Sequence, residues 1–411
     1  MERTLADLLE KDHFAAPSAR MAFVSGPRQC GKTTMALMMQ KDRKSGDLYR
    51  NWDDLSFRKE LSADPYGFMD AYRPSNSKRP LAVLDEIHKF PRWKIYLKGL
   101  WDTRKDQADL LVTGSGRLDI YQRGGDSLLG RYHQYMLHPL SLSEILGRKF
   151  SPDRDTFSQI VERIAQSTDA AKGESREAFA ALLRFGGFPE PFLAQNARRH
   201  RLWLREKREL LTREDLRDLT RIQMLSSVEQ MVELLIPRAG SLLSLTSLRE
   251  ELSVTLDSVR LWMTQLERLY YCYRISPYAG KLARSLRREP KLYLYDWSEI
   301  PEEGKRFENM IASALLRWRD FAQDWGQEKL GLHFIRDKEK REVDFLLTLE
   351  GKPQLLVEAK LSDLQPSSAL KYFGTKLGDI PKLLVVAHAH RPGISAGVRV
   401  VPAAVFLSAI P

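Results

Sequence analysis

Gly26-Pro27-Arg28-Gln29-Cys30-Gly31-Lys32-Thr33 fills every fixed slot of the pattern G-x-x-x-x-G-K-[ST]. Its flanks decide how it is read. The apolar run Met21-Ala22-Phe23-Val24 stands before it, and the helix-forming Thr34-Met35-Ala36-Leu37-Met38-Met39 follows. A strand, a glycine loop and a helix start, in that order, separate a phosphate cradle from a ligand-free glycine turn. Glycines let backbone N–H groups wrap phosphate oxygens, and the helix N-terminus adds positive partial charge. Gly26 through Thr34 are therefore expected to line the phosphates of a nucleotide, ATP, bound with Mg2+. Lys32 is placed to reach the β and γ phosphates, and the Thr33 hydroxyl to ligate the metal.

Downstream, a second apolar run, Leu81-Ala82-Val83-Leu84, ends in Asp85-Glu86. A carboxylate at the tip of a buried parallel strand suits Mg2+ or its water shell, so Asp85 is expected to join Thr33 at the metal. Glu86, one residue on, is placed to polarise an attacking water. A third run, Asp109-Leu110-Leu111-Val112-Thr113-Gly114-Ser115-Gly116, exits through hydroxyl residues. Thr113 and Ser115 are candidates to sense the γ phosphate and hold the lytic water. Thr-Gly-Ser is also a common way to leave a strand.

Bulk composition bounds the rest. A chain of 411 residues exceeds one ordinary hydrophobic core, and two to three domains are expected. Apolar residues make up 43% and charged residues 29%, the mixture of a water-soluble globular protein. No apolar run approaches the roughly 20 residues that span a bilayer, which speaks against a membrane partner. Met1-Glu2-Arg3-Thr4 does not read as a signal peptide. The two cysteines are Cys30, inside the glycine loop, and Cys272; a structural disulfide is not expected, and a cytoplasmic location is. No Cys/His cluster has zinc spacing. The net charge of +11 favours a polyanionic partner, DNA first, and is equally compatible with charge that serves solubility.

Taken together, the glycine loop, Leu84-Asp85-Glu86-Ile87-His88, Thr113-Gly114-Ser115, Leu129-Gly130-Arg131 and Leu137-His138-Pro139-Leu140-Ser141-Leu142-Ser143-Glu144 resemble one family. It is the prokaryotic AAA+ ATPases of poorly defined function that carry an extra uncharacterised C-terminal domain. The resemblance covers roughly residues 15–145, and Gly186-Gly187-Phe188-Pro189 is similar to the family's lid signature. It implies that Arg131, just before the strand-like Gln134-Tyr135-Met136-Leu137, is an arginine finger that reaches the ATP of a neighbouring subunit. That role implies a homo-oligomer, a ring with a hexamer favoured. Arg131 is otherwise a surface arginine in a basic loop with Arg117 and Arg123. A sensor arginine is expected in the lid, where Arg198, Arg199, Arg201 and Arg205 all qualify.

Residues 150–230 read as helical, polar and basic, with a charge-laced segment over Leu210–Leu219. Residues 226–300 carry a winged-helix pattern. Ser247 and Glu250 are expected to form a capping box that opens a helix over Leu248–Leu252. Thr255 is expected to cap a second helix that runs to about Leu269, with Val259, Met263, Leu266 and Tyr270 on its inner face. Asp257, Arg260, Thr264 and Arg268 lie opposite, where a recognition helix meets a groove. A strand at Tyr271–Ile275, a basic tip with Arg284, Arg287 and Arg288, and a return strand at Lys291–Asp296 complete the wing. Phosphate contacts by these arginines are one reading; a packing module that joins its neighbours is the other.

The C-terminal stretch holds a second chemical pattern. A helix with Arg306-Phe307-Glu308-Asn309 precedes strands at His333–Arg336, Glu342–Leu349 and Leu355–Lys360. The Asp344…Glu358-x-Lys360 arrangement resembles the PD-(D/E)xK nuclease superfamily, as in restriction endonucleases and Holliday-junction resolvases. Glu358 and Lys360, two apart on a strand, share a face. Asp344 and Glu358, with the Ala359 carbonyl, are then candidates to hold Mg2+. Lys360 would orient water or stabilise the phosphorane, and Glu308 matches the accessory acid.

The expected architecture is α/β: a P-loop AAA+ domain (1–145), a helical lid or linker (146–225), a winged-helix module (226–302) and a PD-(D/E)xK nuclease-like α/β domain (303–411). Three functional readings follow. The first is an oligomeric AAA+ ATPase that couples ATP hydrolysis to action on DNA, branched or broken. The second is an ATP-regulated, Mg-dependent endonuclease of a defence or repair system. The third is a nucleotide-switched scaffold that binds protein.

Overall fold

The computed structural model describes residues 1–16, 20–72, 79–114, 128–212, 225–278, 289–327 and 329–411. Ser115, Arg117, Arg123 and the basic tip with Arg284, Arg287 and Arg288 lie outside the described residues, as does most of Leu210–Leu219. The chain divides into two compact units, Met1–Pro139 and Leu140–Pro411.

The first unit is built on one parallel sheet. Its strands are β1 (Met21–Ser25), β2 (Tyr49–Asn51), β3 (Leu81–Asp85), β4 (Asp109–Thr113) and β5 (Tyr132–Met136). They lie side by side in the order β2-β3-β4-β1-β5. Every residue of β1, β3 and β4 is buried. That is why these strands read as unbroken apolar runs instead of alternating ones. Helices Lys32–Arg43 and Trp93–Arg104 belong to the same unit, and Phe23, Leu84, Leu97, Leu100 and Val112 pack into its core. Arg43, buried at the end of the first of these helices, pairs with Glu10 at 2.9 Å and with the buried Asp109 at 2.5 Å. The N-terminal segment returns to β5 through His13, whose Nδ1 lies 2.9 Å from the Tyr135 hydroxyl and whose Nε2 lies 2.8 Å from the Arg20 carbonyl. A carbonyl only accepts, so Nε2 carries the proton and Nδ1 accepts from tyrosine.

In the second unit, helices Leu142–Ile145, Phe157–Gln166, Gly173–Phe185, Pro189–Ala194, Ala197–Leu210 and Leu225–Leu235 come first. Helices Leu245–Leu252 and Leu256–Arg268 follow, and then an antiparallel pair, β6 (Cys272–Ile275) and β7 (Lys291–Leu294). The long helix Glu303–Asp324 leads into a mixed sheet of β8 (Leu330–Arg336), β9 (Glu342–Leu349), β10 (Lys352–Lys360), β11 (Lys382–Val386), β12 (Gly393–Ser395) and β13 (Val398–Pro402). Its order is β12-β13-β11-β10-β9-β8. Helix Ser368–Lys376 links β10 to its parallel neighbour β11, and helix Ala403–Ala409 ends the chain.

One expected cap is misplaced. Ser244, extended at φ −92° and ψ 110°, is the N-cap of helix Leu245–Leu252 and accepts from the Ser247 N–H. Ser247 lies inside that helix and donates to Glu251 at 2.8 Å, so the Ser247–Glu250 box does not form. Thr255 caps the next helix as the sequence predicts, accepting from the Ser258 N–H, and Val259, Met263 and Leu266 are buried along it.

The joint at Gly186–Pro189 is tied to the turn after β7. Lys207 reaches the buried Asp296 at 2.8 Å, Arg208 reaches the buried Glu299 at 3.0 Å, and the Trp297 indole donates to the Leu182 carbonyl at 2.8 Å. Gly186 has φ +78°, and a Cβ there would stand 2.7 Å from Asp296 Oδ1. These contacts cross the expected boundary at 225/226.

Candidate functional site

The parallel order places β4 between β1 and β3, with Thr113 in register with both Val24 and Asp85. The glycine loop, the acid pair and the hydroxyl exit therefore meet at one end of the sheet. Asp85, almost fully buried, is the hub. Its Oδ2 accepts from Thr33 Oγ1 at 2.6 Å and from the Tyr49 hydroxyl at 2.9 Å, and its Oδ1 accepts from Thr113 Oγ1. A buried carboxylate needs such donors, because it leaves behind a full hydration shell. Burial and the Asp85 charge push the Tyr49 phenol well above its ordinary range, so it stays a donor.

The loop itself is clamped from below. Gly26 has φ +149°, and a Cβ there would sit 2.3 Å from the Leu137 carbonyl oxygen, which leaves glycine as the only residue that fits. Cys30 is buried, with Sγ 3.5 Å from the same carbonyl. The buried Arg3 donates to the Cys30 carbonyl at 2.8 Å and to the His138 carbonyl. Gly31 is the N-cap of helix Lys32–Arg43, and Thr33 and Thr34 are exposed in its first turn. Lys32 Nζ donates to the carbonyls of Gly26 and Pro27 at 2.9 and 2.7 Å. Along the loop Pro27 is buried, Arg28 half-buried and Gln29 exposed, Gln29 at φ +60°.

Glu86 has φ +56°, a left-handed conformation rare for a residue with a side chain. Its N–H donates to the Thr113 carbonyl at 2.9 Å, which turns the chain sharply out of β3. Its carboxylate lies 3.7 Å from His88 Nε2 and 3.6 Å from Lys89 Nζ. Burial holds the His88 imidazole below its ordinary pKa against the pull of Glu86. Arg131 directly precedes β5, and β5 runs parallel to β1 with Tyr132 opposite Met21. Arg131 is therefore at the far end of the sheet from its own glycine loop. There it pairs with Asp102 at 2.8 Å.

Thr33, in the first turn of its helix, and Asp85, at the end of β3, are a hydroxyl and a carboxylate that could hold a Mg2+ that keeps most of its waters. Lys32 and the loop N–H groups fit the phosphates. The sequence missed Tyr49, Arg3 and His88. Tyr49 lies on a strand of three residues, and Arg3 acts on a loop more than twenty positions away, so neither leaves a local signature.

In the second unit the sequence-predicted quartet is only partly assembled. Glu308 and Asp344 approach one another around Lys291, whose Nζ lies 3.1 Å from Glu308 Oε1 and 3.9 Å from Asp344 Oδ1. Glu342 joins them at 2.7 Å from the same nitrogen. Asp344 Oδ2 accepts from the Ala359 N–H at 2.9 Å, so the amide of Ala359 serves this carboxylate. Burial and the neighbouring Glu308 raise the Asp344 carboxyl to about 8. Glu358 accepts instead from the Ser367 N–H at 3.0 Å. Lys360 turns to Asp363 at 2.9 Å and to the Gln365 carbonyl at 2.7 Å, not to the carboxylates. Among the described residues no group of three or more His, Cys, Asp or Glu side chains is arranged to hold a metal ion.

Of the expected DNA-contacting residues within the described segments, Arg260 is exposed and pairs with Asp257 at 3.1 Å, and Arg268 is half-buried. Arg198, Arg199, Arg201 and Arg205 are all exposed on helix Ala197–Leu210. No helix among the described residues is long and apolar enough to cross a membrane.

Comparison with known proteins finds matches in both units. Residues 18–146 match the model of an AAA domain. Residues 176–298 and 303–406 match two domains of unknown function, DUF8612 and DUF4143. The first of these matches runs from the helices before Gly186 to the turn after β7, across the Lys207–Asp296 contacts. An uncharacterized protein of Mycobacterium tuberculosis is 22% identical over 396 residues, 94% of this chain and 80% of its own length. One from Haemophilus influenzae is 21% identical over 346 residues, 79% of this chain and 78% of its own. Among solved structures, the Aeropyrum pernix ORC1 protein in complex with DNA overlaps 76% of this chain and 91% of its own at 13% identity and a TM-score of 0.31. The Thermotoga maritima RuvB Holliday junction branch migration motor overlaps 66% of this chain and 87% of its own at 18% identity and the same TM-score, 0.31.

Proposed function

We propose that this chain is an oligomeric ATPase whose second unit acts on DNA. One observation carries the ATPase reading: Asp85 is held at once by Thr33 from the glycine-loop helix, Thr113 from β4 and Tyr49 from β2. Three separate segments thus converge on the carboxylate that a Mg–nucleotide site requires. Bound Mg2+ would neutralise charge on the phosphates. Lys32 would leave the Gly26 and Pro27 carbonyls to reach the β and γ oxygens, and Thr33, whose hydroxyl proton is given to Asp85, would offer an oxygen lone pair to the metal. Glu86, swung out of the sheet by its left-handed turn, would orient and deprotonate the attacking water. Thr113, between the two motif-bearing strands, would steady that water. Arg131 lies at the wrong end of the sheet to serve its own site, so it would serve the site of a neighbouring copy.

The DNA reading is supported by the net charge of +11 and by the helix pair that ends in the exposed Arg260 face. The test joins both halves. ATP turnover should vanish in Lys32→Ala and in Glu86→Gln, with Glu86→Gln still binding ATP. Turnover unchanged in Glu86→Gln would remove that residue from the chemistry. DNA affinity should fall steeply from low to moderate salt, since each phosphate contact releases counterions. No binding at low salt would leave the ATPase without this partner.

A further inference from the structure

Glu308, Glu342 and Asp344 gather around a cation that comes from neither their helix nor their strand. Lys291 opens β7 and is buried, with Nζ 2.7 Å from Glu342 Oε1, 3.1 Å from Glu308 Oε1 and 3.9 Å from Asp344 Oδ1. The nuclease-like reading of this domain puts a divalent metal at that place. With the Lys291 ammonium occupying it, the residues present do not fit one. The carboxylate oxygens stand at ammonium distances, whereas Mg2+ would need them at about 2.1 Å. The groups that should complete a metal site are engaged elsewhere: Glu358 with the Ser367 N–H, Lys360 with Asp363 and Gln365. The remaining donors suit a lysine-centred network. The Tyr293 hydroxyl donates to Glu308 at 2.8 Å, and Arg336 pairs with Glu342 at 2.6 Å.

Lys291 is not a mobile surface chain that happens to reach inward. Its strand is fixed at both ends. Leu292 exchanges backbone hydrogen bonds with Gly240 and Ser241, and Leu294 is bonded through both its N–H and its carbonyl to the Asn309 side chain. Asn309 is the residue after Glu308, so the strand that delivers the cation and the helix that delivers the first carboxylate are joined directly.

We infer that Lys291 is the resident cation of the Glu308–Glu342–Asp344 pocket, and that the pocket is closed to divalent metal while β7 is docked. The ammonium supplies the positive charge that a bound metal would otherwise bring. This inference concerns the second unit alone, so its failure would leave the ATPase proposal standing.

The test is nucleotide-free Mn2+ titration of the full chain, followed by electron paramagnetic resonance and by thermal melting in EDTA or Mn2+. The wild-type chain should retain no Mn2+, and its melting temperature should be the same in both buffers. Lys291→Ala should melt lower in EDTA, regain much of the loss in Mn2+ and retain a single Mn2+. Lys291→Ala/Asp344→Asn should lose that ion again. If Lys291→Ala is too unstable to purify, Lys291→Ser carries the same test with a smaller gap. Mn2+ retained by the wild type and released by Asp344→Asn would overturn the inference. So would a folded Lys291→Ala or Lys291→Ser that gains no Mn2+.

Discussion

Asp85 shows how a single buried charge organises a site. Its three donors come from residues 33, 49 and 113, and removal of any one leaves the carboxylate with less solvation than folding supplied. Tyr49→Phe deletes a hydrogen bond to a charged group, which is worth about 1.5–3 kcal/mol when such a bond is buried. We expect Tyr49→Phe to lower stability by about 1.5 kcal/mol in urea unfolding, since the ring is only half-buried, and to weaken Mg–ATP binding with it. His13 gives a second prediction at this scale. Burial lowers its imidazole from 6.5 to about 4. The unfolded chain therefore takes up a proton near pH 6.5 that the folded chain refuses until about pH 4. Stability from this residue is fully present above pH 6.5 and is lost as pH falls towards 4. Melting temperatures should decline across that window in the wild type and more gently in His13→Gln.

At the level of helices and strands, legibility followed locality. β1, β3 and β4 were readable because burial on both faces makes them continuous apolar runs, and the glycine loop announced the helix after it. Thr255 was readable as a cap because its partner is three residues away. Ser247 reads as the cap in place of Ser244 because each is a serine followed by helix-forming residues, and only the backbone, extended at Ser244 and helical at Ser247, separates them. Tyr49 and Lys291 were unreadable as site residues. A tyrosine on a three-residue strand and a lysine at a strand start look solvent-facing until distant carboxylates are brought to them. The nuclease-like pattern was legible as strands and helix, yet Lys360 and Glu358 turned to nearby loop partners that spacing alone does not reveal. Two substitutions probe these joints. Arg43→Ala would leave the buried Asp109 with only the partly exposed Arg79, 3.1 Å away, and should lower stability by about 1.5–3 kcal/mol, measured by denaturant unfolding. Gly186→Ala would force a Cβ against Asp296 at a left-handed φ and should lower it by about 1–3 kcal/mol.

For the molecule as a whole, the position of Arg131 sets the strongest expectation. On the proposed reading, an arginine at the opposite end of the sheet from its own phosphate loop would contribute to hydrolysis only between copies. Arg131→Ala and Glu86→Gln should each be inactive alone, and a mixture of the two should recover part of the turnover, because some interfaces then join an intact arginine to an intact glutamate. A mixture as silent as its components would refute shared sites. The Arg131–Asp102 pair adds a kinetic corollary. In a solitary chain the guanidinium is already paired with Asp102, so on the proposed role association has to exchange that carboxylate for the phosphates of a neighbour's nucleotide before hydrolysis can begin. Dilute protein would then lag before reaching steady turnover, and Asp102→Asn, which loosens the intramolecular grip, would shorten that lag.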